Sequence, residues 1–157
     1  MANMATSTGT TVVAAPTDAA LRAHCAQHHP ACFACRPVDR GGLGLAFTTR
    51  ADGSVATEWL CPPGGESYAG IVHGGLLATA LDSAMVHALF ARGIVARTGE
   101  LTVRYRQSVR AGEPVTVTAW HCGANHPLHH LEAEMRQGGV RCAHARAKFM
   151  AVAVSAP

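Results

Sequence analysis

Gly70-Ile71-Val72-His73-Gly74-Gly75-Leu76-Leu77 runs on through Ala78-Thr79-Ala80-Leu81-Asp82, and the character of the chain changes at the paired glycines. From Gly75 to Ala91 the apolar residues Leu76, Leu77, Ala80, Leu81, Ala84, Met85, Ala88 and Leu89 recur every three or four positions, which is helical spacing. The helix this predicts is apolar almost all round, so it belongs in a core. Asp82 is its one formally charged residue before Arg92. A carboxylate in such a place is costly unless it is paired, so it is either a satisfied structural group or a chemical one. The neighbouring glycines favour chemistry. Gly74 and Gly75 let the backbone come close to a ligand, while the first-turn N–H groups lack partners and the helix dipole favours negative charge. Such a start can stabilise an oxyanion. Serving a tight turn is the plainer role for the same two glycines.

Outward from this helix the pattern becomes that of strands. Upstream, Leu43 to Thr49 and Ser54 to Leu60 flank Ala51-Asp52-Gly53, whose Asp-Gly pair predicts a hairpin. Pro62-Pro63-Gly64-Gly65 then predicts an irregular loop running through Ser67 and Tyr68 to His73. Downstream the period is two. Leu101, Val103 and Tyr105 alternate with Thr102, Arg104 and Arg106; Val115 to Trp120 follows; Leu131, Ala133 and Met135 alternate with Glu132, Glu134 and Arg136. In the last segment, about Val140 to Val152, Ala143, Ala145, Ala147, Phe149 and Ala151 share one face and His144, Arg146 and Lys148 the other. These are antiparallel strands with one wet face, and the small inner residues leave room for a helix. Two strands, one buried helix and four strands make an α+β fold: an antiparallel sheet of five to six strands wrapped around one long central helix.

The 157 residues, 48% of them hydrophobic, suffice for one domain with one core. The expected organisation is a disordered tail over 1–20, a Cys- and His-containing lead-in over 21–41 with a short helix near Asp18 to Gln27, and the main domain over 42–154. The net charge of +3 comes from 13 scattered Lys and Arg, which argues against nucleic acid as a partner. The first twenty residues have no basic n-region or apolar h-region, and no later run is long enough for a membrane helix. The expected location is cytoplasmic, where six cysteines read as free thiols or metal ligands.

The Gly-Ile-Val-His-Gly-Gly-Leu-Leu run, Leu81-Asp82, and Thr98-Gly99-Glu100-Leu101-Thr102-Val103-Arg104-Tyr105 together resemble the PaaI-like hotdog thioesterases, a likeness extending over about Cys32 to Val152. The resemblance implies hydrolysis of an acyl-CoA thioester to a carboxylic acid and free CoA by a homodimer or a dimer of dimers (a homotetramer). It implies that Gly74 and Gly75 donate N–H bonds to the thioester carbonyl, that Asp82 is the general base or nucleophile, that Thr98 supplies a supporting hydroxyl, and that His73 shapes the loop. Coenzyme A would enter as part of the substrate, with no metal or further cofactor needed for the reaction. From Gly75 to Asp82 is roughly 10 Å along a helix, too far for one carbonyl carbon to meet both. Two antiparallel helices across a two-fold axis would bring one chain's helix start beside the other's Asp82.

Some residues depart from this pattern or fall outside it. Ser67 stands where the family often has Asn or another amide six residues before the motif histidine. That departure keeps open a non-catalytic protein binding acyl-CoA or another hydrophobic ligand. Asp82 and His87 have the spacing of the dyad in hotdog enoyl-CoA hydratases, but five helical residues turn through about 500°, setting the side chains some 140° apart. His87 is therefore expected to be a packed or interfacial histidine. Cys25-x-x-His28-His29-x-x-Cys32-x-x-Cys35 has the composition of a tetrahedral zinc site, hence a zinc-stabilised regulatory module as a further reading. Plain packing of Cys32, Phe33 and Cys35, or a redox pair, are the alternatives. His126-Pro127-Leu128-His129-His130 reads as a solvated turn. Arg104, Arg106 and Arg110 border the expected dimer groove, where they would meet CoA phosphates or simply face solvent.

Overall fold

The computed structural model describes residues 13–153. Its elements in chain order are α1 (Asp18–His28), β1 (Thr48–Thr49), β2 (Val55–Trp59), β3 (Glu66–Tyr68), β4 (Ile71–Val72), α2 (Gly74–Phe90), β5 (Ala96–Tyr105), β6 (Val115–Asn125), β7 (Leu128–Gln137) and β8 (Val140–Ala151). Six strands form one antiparallel sheet in the order β1-β2-β6-β7-β8-β5. Its concave face holds α2, the wrapped sheet expected from the order of elements and the hotdog fold that the resemblance implies.

Alternation explains the packing. In β8 Ala143, Ala145, Ala147 and Phe149 are buried, while Arg146 and Lys148 between them face solvent. Their partners across the ladders, Ala133 and Met135 on β7 and Val117 and Ala119 on β6, are buried as well. Four of these inner residues are the alanines of β7 and β8, so the helix can sit close. Its own Leu77, Ala80, Leu81, Ala84, Met85, Ala88 and Leu89 fill the space above them. None of the described helices is long and apolar enough to cross a membrane.

The lead-in segment is part of the same core. Thr17 caps α1 by accepting from the Ala20 N–H at 3.1 Å, and the Asp18 carboxylate accepts from both the N–H (2.6 Å) and the hydroxyl (2.8 Å) of Thr49. These bonds hold Asp18 below the usual carboxylate range. Leu21 of α1 and Ala34 of the following loop are buried with the α2 residues.

Several boundaries differ from expectation. Residues 1–12 of the expected tail lie outside the described residues, and its last three, Asp18 to Ala20, form the first turn of α1. Only Thr48 and Thr49 of the expected strand Leu43 to Thr49 enter the sheet. Leu43 and Leu45 instead donate their N–H groups to the carbonyls of Phe33 and Ala34, so the Cys-containing loop takes the place of a neighbouring strand. The loop expected from Pro62 to His73 contains a small hairpin, β3 with β4, because backbone bonds from Val72 to Val109 and from His73 to Gly65 hold it against its surroundings. The expected solvated turn is confined to His126 and Pro127: His129 is buried, within 3.1 Å of His121. Alternation along β7 places that ring under the sheet, which composition alone does not reveal.

Candidate active site

The start of α2 is built by His73. Its Nδ1 accepts the Gly75 N–H at 2.9 Å, making it the N-cap of the helix, and its carbonyl accepts from Leu76 and Leu77. The two glycines therefore differ: the Gly75 N–H is taken by the cap, whereas the Gly74 N–H has no partner among the described residues. Gly74 is the available donor. Tyr105 at the end of β5 steadies the same turn, its hydroxyl donating to the Gly74 carbonyl at 2.8 Å. Its ring lies 3.6 Å from where a Gly74 Cβ would stand, so the turn is covered on that side.

Asp82 lies two turns further along α2. Its Oδ1 accepts the Thr98 hydroxyl at 2.8 Å, and Oδ2 has no partner among the described residues. Burial pushes the carboxyl above the ordinary carboxylate range, opposed by the Thr98 bond and by the nearby His29. That combination suits a general base: a carboxylate with one oxygen oriented and one free, made more basic by its surroundings.

Strand parity alone would put Thr98 on the face of Thr102 and Arg104, away from the helix. A β-bulge between Thr98 and Glu100 inserts Gly99 as an extra residue, so Thr98 pairs with Phe149 while Glu100 pairs with Lys148. Thr98 thus joins the inward row of Leu101, Val103 and Tyr105 and faces α2. A glycine within a strand pattern is the local sign that could have pointed to this bulge.

The remaining sequence candidates are spread out. Ser67 is exposed in β3. Arg110 pairs with Glu113 at 2.9 Å. Arg104 and Arg106 line a groove of about 470 Å³ on the outer sheet face with Arg141 and Arg146, where Glu132 accepts from Arg146 at 3.0 Å. Asp82 and His87 do not meet, as their spacing implies. His87 is buried, and its ring contacts Cys25 and Cys35. Its Nδ1 lies 2.7 Å from the Ser83 carbonyl, and burial lowers its pKa to about 4. Two sets of side chains have the chemistry to hold a metal, Cys25 with Cys35 and His87, and His29 with Cys32 and Cys35. Tyr105, and the approach of His29 to Asp82, were not foreseen; the parity of Leu101, Val103 and Tyr105 pointed to the former, and nothing local pointed to the latter.

Comparison with known proteins places the fold and the family. The fold is shared with the E. coli PaaI protein from the phenylacetic acid degradation operon (TM-score 0.72, 16% identity, 86% of this chain and 95% of that one). It is shared too with a thioesterase superfamily protein of which this chain spans little more than half (TM-score 0.67, 23% identity, 70% of this chain and 57% of that one). A hypothetical thioesterase protein from Streptococcus pneumoniae TIGR4, solved with coenzyme A, matches at a TM-score of 0.63 and 16% identity, over 68% of this chain and 86% of its own. No curated protein matches the sequence. The thioesterase superfamily model matches residues 69–147, a segment that contains His73, Gly74, Gly75, Asp82, Thr98 and Tyr105. With half its length so matched and its sheet wound around α2, the chain belongs to the thioesterase superfamily.

Proposed function

We propose that two copies of this chain form a homodimer that hydrolyses an acyl-CoA thioester to a carboxylic acid and free CoA. The observation that carries this is the Asp82 carboxylate, oriented by Thr98 at 2.8 Å on a helix whose start keeps the Gly74 N–H free. The two groups are separated by eight helical residues, roughly 12 Å at about 1.5 Å per residue, so one chain alone does not bring both to one carbon. A two-fold partner supplies the missing half. β5 lies at the end of the sheet, paired on one side by β8 alone, and its Tyr105 is 51% exposed. Such an open edge favours a second copy there, and dimers of dimers remain compatible with it.

In this reading the Gly74 N–H holds the thioester oxygen as negative charge develops on it. The partner's Asp82 takes a proton from water, which attacks the carbonyl carbon; the C–S bond then breaks and the thiolate of CoA leaves. Asp82 acting first as nucleophile would form an anhydride that water reopens, with the same products. Arg104 and Arg106, without carboxylate partners among the described residues, are candidates to meet the phosphates of CoA. The CoA-bound relative and the superfamily match support this substrate class.

The exposed Ser67 in place of an amide favours one competing reading, a hotdog protein that binds acyl-CoA or another hydrophobic ligand without turning it over. Release of free thiol from a panel of aryl and aliphatic acyl-CoAs, by wild type and Asp82→Ala in parallel, separates them. Turnover by wild type that is lost in a folded Asp82→Ala supports the enzyme; saturable binding without turnover across the panel supports the binding protein.

A further inference from the structure

We propose that Cys25, Cys32, Cys35 and His87 bind a zinc ion that fastens α1 and the loop after it to the central helix. The ligands come from three places: Cys25 from α1, Cys32 and Cys35 from the loop, and His87 from α2. In sequence the histidine is 52 residues from the nearest of these cysteines, so only the fold assembles the set. Three of the four ligands precede the segment matched by the superfamily model, which begins at residue 69.

The distances suit a tetrahedral ion. Zinc bonds of about 2.3 Å to sulfur and about 2.0–2.1 Å to nitrogen, at a tetrahedral angle, place sulfur and nitrogen about 3.6 Å apart. His87 Nε2 is 3.4 Å from the Cys35 sulfur and 3.7 Å from the Cys25 sulfur. The second ring nitrogen is also set as a ligand histidine requires: Nδ1 lies 2.7 Å from the Ser83 carbonyl, and donating there leaves the Nε2 lone pair for the thiols' side. Cys35 belongs to both sets of close side chains, the second containing Cys32 and His29 with all ligand atoms within 4.8 Å of one another. Cys25, Cys35 and His87 supply three corners as they stand, and Cys32, which lies with Cys35 and His29 in the second set, completes the tetrahedron by turning its side chain toward them. As the ion binds, the ligating thiols release their protons to water and the dication balances the sulfur charge. Soft sulfur with imidazole selects zinc over calcium or magnesium.

The test is the metal content of the full-length chain, expressed with zinc supplied and kept reduced, measured by plasma mass spectrometry beside its Cys35→Ser and Cys122→Ser variants. About one zinc per chain in wild type and Cys122→Ser, falling below about a tenth in Cys35→Ser, is the expected result. Cobalt exchanged into wild type should give the visible bands of a tetrahedral thiolate site. Wild type with less than about a tenth of an equivalent of zinc and no cobalt thiolate band overturns the proposal, as does a Cys25–Cys35 disulfide in freshly isolated protein. Should Cys35→Ser fail to fold, wild-type content and cobalt spectrum still decide. His29→Ala should retain zinc and Cys32→Ser lose it; the opposite pattern overturns Cys32 as the fourth ligand.

Discussion

Asp82 and His87 are five residues apart on one helix, yet their surroundings differ in kind. Asp82 faces β5, near the open end of the sheet, and bonds one oxygen to Thr98 while the other stays free. His87 faces α1, is 2% exposed, and has both ring nitrogens against groups of its own chain. A nearly uniform apolar helix can thus carry two polar groups, one left incomplete at an edge and one closed off within the fold. Incompleteness at an open edge marks the group suited to turning over a reactant, whereas a group enclosed among its own chain's thiols suits a structural role.

Removing the incomplete group should have the largest effect. Asp82→Asn is expected to lower kcat by about 10²–10⁴, the range of general-base catalysis, with the fold retained. Its stability gives a second readout with a definite sign. Because the folded carboxyl titrates above its free value of 3.8, wild-type stability falls as pH rises from that value through the raised one, and Asp82→Asn should lack this slope. Denaturation at several pH values would show it; a wild type that instead gains stability over that window contradicts the burial argument.

Between the two polar groups, Met85 is fully buried against the sheet. Met85→Ala should cost about 2–5 kcal/mol of stability in urea melts, far more than any change at the helix start, because it leaves a cavity.

Thr98→Val sharpens the role of the supporting hydroxyl. It should lower kcat roughly tenfold, about 1.4 kcal/mol for one hydrogen bond to a charged group. With the bond that favours the charged carboxylate gone, the acid limb of the rate profile should move to higher pH. An unmoved limb would confine Thr98 to packing. Smaller still, His73→Ala should cost about 1 kcal/mol of stability through the lost cap. Tyr105→Phe, which frees the exposed end of one hydrogen bond, should cost about 0.5–1 kcal/mol or less. If either instead abolishes turnover in a stable protein, the helix start is more finely positioned than its bonds indicate.

Much of this was legible along the chain. The three-and-four spacing after Gly75 is α2, the alternation after Leu101 belongs to the sheet, and the main sheet has six strands, within the expected five to six, although its first strand is only two residues long. Asp82 was conspicuous because a charge in an apolar helix is rare. Gly74 and Gly75 read as equals in sequence, and the difference between them follows from one side chain, His73, turning back to cap the helix. The β3–β4 hairpin leaves no mark in the sequence because its few residues have no period and a bond that holds it, from Val72 to Val109, runs to a residue far along the chain.

Elements with local signals can be read along the chain: periodicity, turns and the glycine-flanked helix start, since each reflects which neighbours of one short segment meet water. Which polar groups face one another follows from the packing of whole elements. Thr98 reaches Asp82 only through the bulge at Gly99, and His87 meets Cys25 and Cys35 only because α1 folds back over α2. Pairings between distant residues depend on how whole elements pack, and no local pattern of apolar and polar residues encodes that packing.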